Sequence, residues 1–329
     1  MLTNSNELLS PLTLAQLLLA RGDLVAIPTE TVYGLAANAL NAQAVAKIFE
    51  VKKRPTFDPL IVHTYSVEQL ARYAHSIPDE AYKLAEVLMP GALTLLLPKQ
   101  AHIPDIVTAG LPTVGLRIPK HPLALELLHG LDFPLAAPSA NPFGYISPTT
   151  AEHVRAQLGD AIAMVLDGGA CSIGIESTIV GFPNGEPTIL RFGGISLEEI
   201  ESILGMVVKT FTHSVSNPSA PGMLASHYAP KKPFYVTTSG NLEAFSKGFL
   251  QKYAPEKIGV LAFEAGLAHI PAENQLILSP TADLNEAAQQ LFGAMRRLDN
   301  LPVRIILAEF VPQNGLGRAI NDRLQRASV

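Results

Sequence analysis

Pro28-Thr-Glu-Thr-Val-Tyr-Gly-Leu35, Lys52-Lys-Arg-Pro55 and Asp58-Pro-Leu-Ile-Val-His63 form the stretch from which the fold is read. The preceding Leu24-Val-Ala-Ile27 is apolar and reads as a buried strand, ended by Pro28, which has no N–H to give to a ladder. Thr29, Thr31 and Tyr33 then set hydroxyls beside Gly34, whose missing side chain lets backbone or ligand come close. From Asn41 onward, Ala44, Val45, Ile48, Phe49 and Val51 recur with helical spacing, and Pro55 stops the helix. Lys52, Lys53 and Arg54 fall at its end. Two readings stand: exposed cations that offset the helix dipole by about 0.3–1 kcal/mol, or positive charge aimed into a polar pocket at a strand end.

A second motif, Ala136-Ala-Pro-Ser-Ala-Asn-Pro142, alternates Ser139 and Asn141 around a small alanine. In extended geometry both side chains share one face, an uncharged polar pair suited to a phosphate ester or ribose beside the cations. The same residues also make an ordinary turn.

The chain has 329 residues, 48% hydrophobic and 16% charged, enough for two globular domains with ample core. Residues 1–207 carry 12 Lys+Arg against 20 Asp+Glu, a net −8, and residues 208–329 carry 12 against 9, a net +3. An acidic first half with one basic run is a poor nucleic-acid surface, which needs many distributed cations. The run at Lys52–Arg54 therefore reads as a site for one small polyanion. The lone Cys171 excludes internal disulfides and reads as a small buried thiol. Nine histidines show no i, i+4 pair, so no zinc site is signalled. Without a basic signal-peptide start or an apolar run of roughly 20 residues, the expectation is a cytoplasmic protein with no membrane association.

Pro218, Pro221, Pro230 and Pro233 punctuate a weakly patterned stretch, dividing the chain into 1–207, a linker 208–232, and 233–329. The linker is no bare tether, since it carries Met223, Leu224, His227 and Tyr228. It reads either as a surface strap or as a lid over the first-domain pocket. Beyond it, strands at 234–238, 258–263, 275–278 and 304–310 alternate with helices at 242–252, 284–298 and through Ile320 and Leu324, predicting a small open α/β sheet. Neither a P-loop nor a nucleophile-elbow motif occurs.

Taken together with Ile175-Glu-Ser-Thr-Ile-Val180, Pro221-Gly-Met-Leu-Ala-Ser-His-Tyr-Ala-Pro230 and Gly315-Leu-Gly-Arg-Ala-Ile-Asn-Asp-Arg-Leu324, these motifs resemble the YrdC-like family of threonylcarbamoyl-AMP synthases in its long, two-domain form. The resemblance implies an α/β protein: a YrdC-like twisted mixed sheet with helices and a concave pocket, and a smaller Rossmann-like C-terminal domain. It implies a nucleotidyltransferase that condenses L-threonine, bicarbonate and ATP, with Mg²⁺ arriving on the ATP phosphates, and that supplies tRNA threonylcarbamoyl-transfer machinery without stable nucleic-acid binding of its own. Such a reaction needs positioning and charge neutralisation more than a protein nucleophile.

Residue by residue, the resemblance assigns Thr31, His63, Arg117, Ala137 and Ser177 to L-threonine, with the Arg117 fork on its carboxylate. It assigns Lys52, Arg54, Asp58, Thr113, Ser139, Asn141, Ser147 and Arg191 to ATP, with Lys52 and Arg54 catalytic and with His227 and Tyr228 reaching in from the linker. Asp58 stands where the family commonly has Asn. A carboxylate there repels a triphosphate unless Mg²⁺ or Lys52 compensates. Read without the family, Arg191 is also compatible with a structural ion pair, His63 with a capped strand end, Ser147 with an N-cap, and Thr178 with packing. The competing classes are an RNA-binding module without ATP turnover and a carbamoyl-transfer enzyme on the same architecture.

Overall fold

The computed structural model describes residues 9–211 and 227–328. Most of the linker expected at 208–232, namely residues 212–226 with Pro218, Pro221, Met223 and Leu224, lies outside the described residues.

Ten strands build the first sheet: β1 (Val25–Ile27), β2 (Gly34–Asn38), β3 (Ile61–His63), β4 (Leu93–Pro98), β5 (Thr113–Arg117), β6 (Leu135–Ala136), β7 (Met164–Val165), β8 (Thr178–Gly181), β9 (Thr188–Arg191) and β10 (Lys209–Thr210). Their order is β10-β9-β8-β4-β5-β3-β6-β2-β1-β7, with parallel and antiparallel pairs mixed. Strand alternation divides this sheet by chemistry. Val62, Leu93, Leu95, Leu97, Val114, Leu116, Val180 and Ile189 point into the main core beneath the helices. The residues between them form the opposite, concave face. It is polar at one end (His63, Thr94, Arg117) and apolar at the other, where Ile61, Leu96, Ile179 and Leu190 pack together.

A register shift sits between β8 and β9: Ile179 pairs with Arg191 but Val180 with Ile189, leaving Leu190 as the extra residue of a bulge. A bulge of this kind re-aims side chains beside a site. Here consecutive residues serve the concave face, Leu190 in its apolar cluster and Arg191 at its polar end.

The helix Ala42–Lys52 begins at Asn41, whose side chain accepts from the amides of Gln43 and Ala44, and ends with Lys53 in the left-handed region at φ 52°. Its buried stripe is Ala44, Val45, Ile48, Phe49 and Lys52. The expectation that Lys52 and Arg54 are exposed helix-end charges is corrected: they are 1% and 7% exposed, and only Lys53 is solvated. Lys52 falls four residues after Ile48, on the face that packs inward.

The second sheet is four-stranded and wholly parallel, with β11 (Phe234–Thr237), β12 (Ile258–Ala262), β13 (Gln275–Ile277) and β14 (Ile305–Glu309) in the order β11-β14-β12-β13. Helices Leu242–Phe249, Leu284–Asn300 and Gly317–Ala327 accompany it, bearing out the small open α/β sheet. The two sheets share a core: Val32, Ile146 and Ile175 pack in one cluster with Phe292, Met295, Ile320 and Leu324. Polar contacts reinforce it, with Arg296 donating to the carbonyls of Ile146 and Ser147, and the Tyr145 hydroxyl donating to Asp299 at 2.6 Å. No helix among the described residues is long and apolar enough to cross a membrane.

Candidate active site

On the concave face, Arg54, His63, Arg117, Ala137, Ser139, Ser177, Arg191, His227 and Tyr228 converge around one cavity, together with Val32, Ile61, Pro138 and Glu176. His63 closes β3 and lies beside Arg117, its cross-strand partner on β5. Gly34 lets the wall opposite come close: it bridges Ser139, and a Cβ there would sit 3.2 Å from that of Ala137, a contact that would push Ala137 back by a few tenths of an ångström.

Each arginine is held in place. Arg117 pairs with Glu30 at 2.8 Å, and Glu30 also accepts from the amide of Lys120 at 3.0 Å. Arg191 donates from Nε and Nη2 to the carbonyl of Ser177 at 3.1 and 2.8 Å, and from Nη2 to its hydroxyl at 3.1 Å. The Ser177 hydroxyl also meets that of Thr94 at 2.7 Å. Arg54 pairs with Asp58 at 2.8 Å and donates to the carbonyls of Asp58 and Pro59. The compensation expected from Lys52 is thus supplied to Asp58 by Arg54. Lys52 instead donates to the carbonyls of Ser139 and Asn141, both at 2.5 Å, and holds the serine motif from behind.

Several sequence candidates stand away from the cavity. Asn141 does not share the face of Ser139: its amide closes a tight turn on the Ser139 carbonyl at 3.0 Å, so the chain is not extended there and the alternation breaks. Its side chain donates to the carbonyls of Pro142 and Tyr145. Ser147 donates to Glu176 at 2.6 Å, and Thr150 caps the following helix in its stead. Thr31 is buried against Thr29, hydroxyl to hydroxyl at 2.8 Å. Thr113 lies in an adjoining apolar groove of about 410 Å³ with Leu96, Gly181, Phe182 and Leu190. Sequence reasoning missed Glu30, Thr94, Glu176 and Arg323. Glu30 and Glu176 lay inside quoted motifs, each beside the hydroxyl residues that drew notice.

Positive charge dominates the electrostatics. Burial, followed by the nearby Arg54, Lys52, Arg191 and Arg323, pushes the His227 imidazole well below its usual range. Burial and then Arg54 push the Lys52 ammonium down. Burial raises the Tyr228 phenol to about 12 and the Cys171 thiol likewise, the latter bearing out an inert buried thiol. Tyr228 has φ +65°, a left-handed conformation seldom taken by a bulky residue. It is held between Phe292, ring centroids 5.5 Å apart, and the Arg323 guanidinium at 5.3 Å.

Burial and then the Arg117 charge lower His63 to about 3. This carries a stability consequence. The unfolded imidazole, at about 6.5, binds a proton that the folded one refuses. The contribution is complete above pH 6.5 and is lost as pH falls toward 3, with a slope of about 1.4 kcal/mol per pH unit. Denaturant unfolding between pH 7 and 4 is expected to show at least this slope, since burial also lowers His153 and His227, and His63→Asn to reduce it by one proton's worth. An unchanged slope in that variant would mean that His63 is not held neutral.

Among the described residues no group of three or more His, Cys, Asp or Glu is placed to hold a metal ion. The carboxylates nearest the cavity, Asp58 and Glu176, are each committed to an arginine.

Comparison with known proteins agrees with this geometry. A family model described as telomere recombination, for the Sua5/YciO/YrdC proteins, matches residues 17–193, and one for the threonylcarbamoyl-AMP synthase C-terminal domain matches 195–329. A threonylcarbamoyl-AMP synthase of Pyrococcus abyssi is 43% identical over 93% of this chain and 91% of its own. One of Bacillus subtilis is 42% identical over 95% and 92%. The structure of P. abyssi Sua5 complexed with L-threonine is similar at a TM-score of 0.89 and 41% identity, covering 96% of this chain and 94% of that one. With both sheets and the motif-bearing cavity accounted for across nearly its whole length, the chain belongs to the threonylcarbamoyl-AMP synthase family in its two-domain form.

Proposed function

We propose that the chain condenses L-threonine, bicarbonate and ATP to threonylcarbamoyl-AMP, releasing pyrophosphate, in the cytoplasm and for use by machinery that modifies tRNA. The observation that carries this reading is the convergence of Arg54, Arg117 and Arg191 with Ser139 and Ser177 on one enclosed cavity. The threonine carboxylate meets the Arg117 fork, with His63, Ala137 and Ser177 around the amino acid and Thr31 behind them. Its amine and bicarbonate give a carbamate. A carbamate oxygen attacks the α-phosphorus, the α–β anhydride bond breaks, and pyrophosphate leaves with that electron pair. Lys52, Arg54 and Arg191 neutralise the phosphates, Ser139 binds them, and Asn141 and Ser147 support the loop. The base lies toward the apolar groove at Thr113. Mg²⁺ suits this site as an ion carried on the ATP phosphates, keeping several waters, since the nearby carboxylates are paired.

His227 and Tyr228 are only 6% and 1% exposed, and with them in place the free volume of the cavity is about 50 Å³, against roughly 300–1,000 Å³ for small-molecule sites. We infer that both side chains withdraw to admit ATP and return to shelter the carbamate from water, so that the linker acts as a lid through His227 and Tyr228, while Lys209–Thr210, counted with the linker from sequence, belong to the first sheet as β10.

Pyrophosphate release from ATP is expected to require threonine and bicarbonate together. Equal release with neither present would overturn the synthase reading. Binding of RNA without ATP turnover would replace it with the RNA-module reading.

A further inference from the structure

The cavity holds one carboxylate that a polyanion would meet unfavourably, Glu176, and its compensation comes from the other sheet. Glu176 lines the cavity and is 7% exposed. One of its oxygens accepts from Ser147 at 2.6 Å and the other from Arg323 Nε at 3.1 Å. Arg323 belongs to the helix Gly317–Ala327 of the second domain and is completely buried. Its Nη1 donates to the carbonyl of Phe192 at 2.7 Å and meets Asp322 at 3.0 Å. Its guanidinium faces the Tyr228 ring, and its Nη2 has no hydrogen-bond partner among the described residues. Asp322 is shared with Arg326 at 2.9 Å, so Glu176 relies on Arg323 for its counter-charge.

A buried arginine that only fastened two domains would need no carboxylate of the cavity wall. This one spans first domain, second domain and linker residue, and it ends on the single carboxylate among the described side chains that line the cavity. Without it, Glu176 would present a bare negative charge to incoming phosphates in a site largely shut off from water, where such repulsion is poorly screened.

We propose that Arg323 is a positioning residue of the nucleotide site, supplied by the second domain, which neutralises Glu176 so that the cavity accepts the polyanionic end of ATP. The second domain is thereby a working part of the active site. This rests on reading the cavity as the site for ATP and threonine.

The test is steady-state pyrophosphate release by the full chain, as wild type, Arg323→Met, Glu176→Gln and the double variant. Arg323→Met is expected to raise KM for ATP by about tenfold or more while KM for threonine moves by less than about twofold, because only the anionic substrate senses the exposed charge. Adding Glu176→Gln is expected to return KM for ATP to within about threefold of Glu176→Gln alone, a non-additivity that marks direct coupling. An unchanged KM for ATP, or equal shifts in both KM values without rescue, would show a structural clamp only and overturn the proposal. Should Arg323→Met not fold by circular dichroism, Arg323→Lys carries the test: it keeps the charge, and a rise of about tenfold in KM for ATP would overturn the proposal, whereas a rise under about threefold supports it. Wild-type release independent of threonine would instead overturn the functional reading.

Discussion

Lys52→Ala is expected to lower turnover by about 10²–10³, the range for removing one preorganised electrostatic donor. Lys52 is 1% exposed and spans from its helix to the carbonyls of Ser139 and Asn141, while its own carbonyl accepts from the amide of Phe143. It therefore fixes the serine loop against the cavity as well as contributing charge. Removing it leaves the Asn141 carbonyl without its donor and the Ser139 carbonyl with only the Asn141 amide, so a stability loss of about 1–3 kcal/mol accompanies the kinetic defect. Pyrophosphate release and denaturant unfolding of the same preparation check both parts. Near-normal turnover in a folded variant would leave Lys52 with a purely structural role, tying its helix to the serine loop.

Arg54→Ala is expected to destabilise the protein by about 3–5 kcal/mol, because it leaves a buried carboxylate unpaired. Asp58 is 0% exposed and has Arg54 at 2.8 Å; burial raises its pKa and Arg54 opposes that shift. Adding Asp58→Asn is expected to recover most of the stability. It is not expected to recover turnover, since Arg54 is proposed to neutralise the phosphates and that charge is still missing. Unfolding midpoints of the single and double variants decide the first point and turnover the second. A stable Arg54→Ala protein would mean that the pair contributes little.

The sequence displayed the elements more readily than the contacts. Short apolar runs set between helical segments marked all four strands of the second sheet, and the Ala44 to Phe49 spacing marked its helix, because burial imposes those patterns locally. The same spacing held a further signal: Lys52 lies on the stripe of Val45, Ile48 and Phe49, so its burial was legible had the cation been placed on the helical face. The Ser139 and Asn141 pair misled because a single turn hydrogen bond cancels an alternation that holds only for extended chain. The bulge at Leu190 is set by pairing with β8 and leaves no trace in β9 alone.

Long-range partners were the least legible. Glu176 and Arg323 are separated by 147 positions, and no local pattern ties one to the other. Glu30 and Arg117, or Thr94 and Ser177, meet only through the order of strands in the sheet. Residue chemistry proposed the arginines as anion ligands; the carboxylates that orient them became visible only with the fold.

This cavity is expected to join threonine, a carbon from bicarbonate and the adenylyl group of ATP. That joining is tested most directly by incubating the full chain with ATP, L-threonine and ¹³C-bicarbonate, quenching rapidly, and measuring product mass. The expected result is a single adduct of AMP and threonine that gains one mass unit from the labelled carbon and is absent when threonine is omitted. AMP and pyrophosphate formed without any labelled adduct, or an adduct that carries no label, would contradict it.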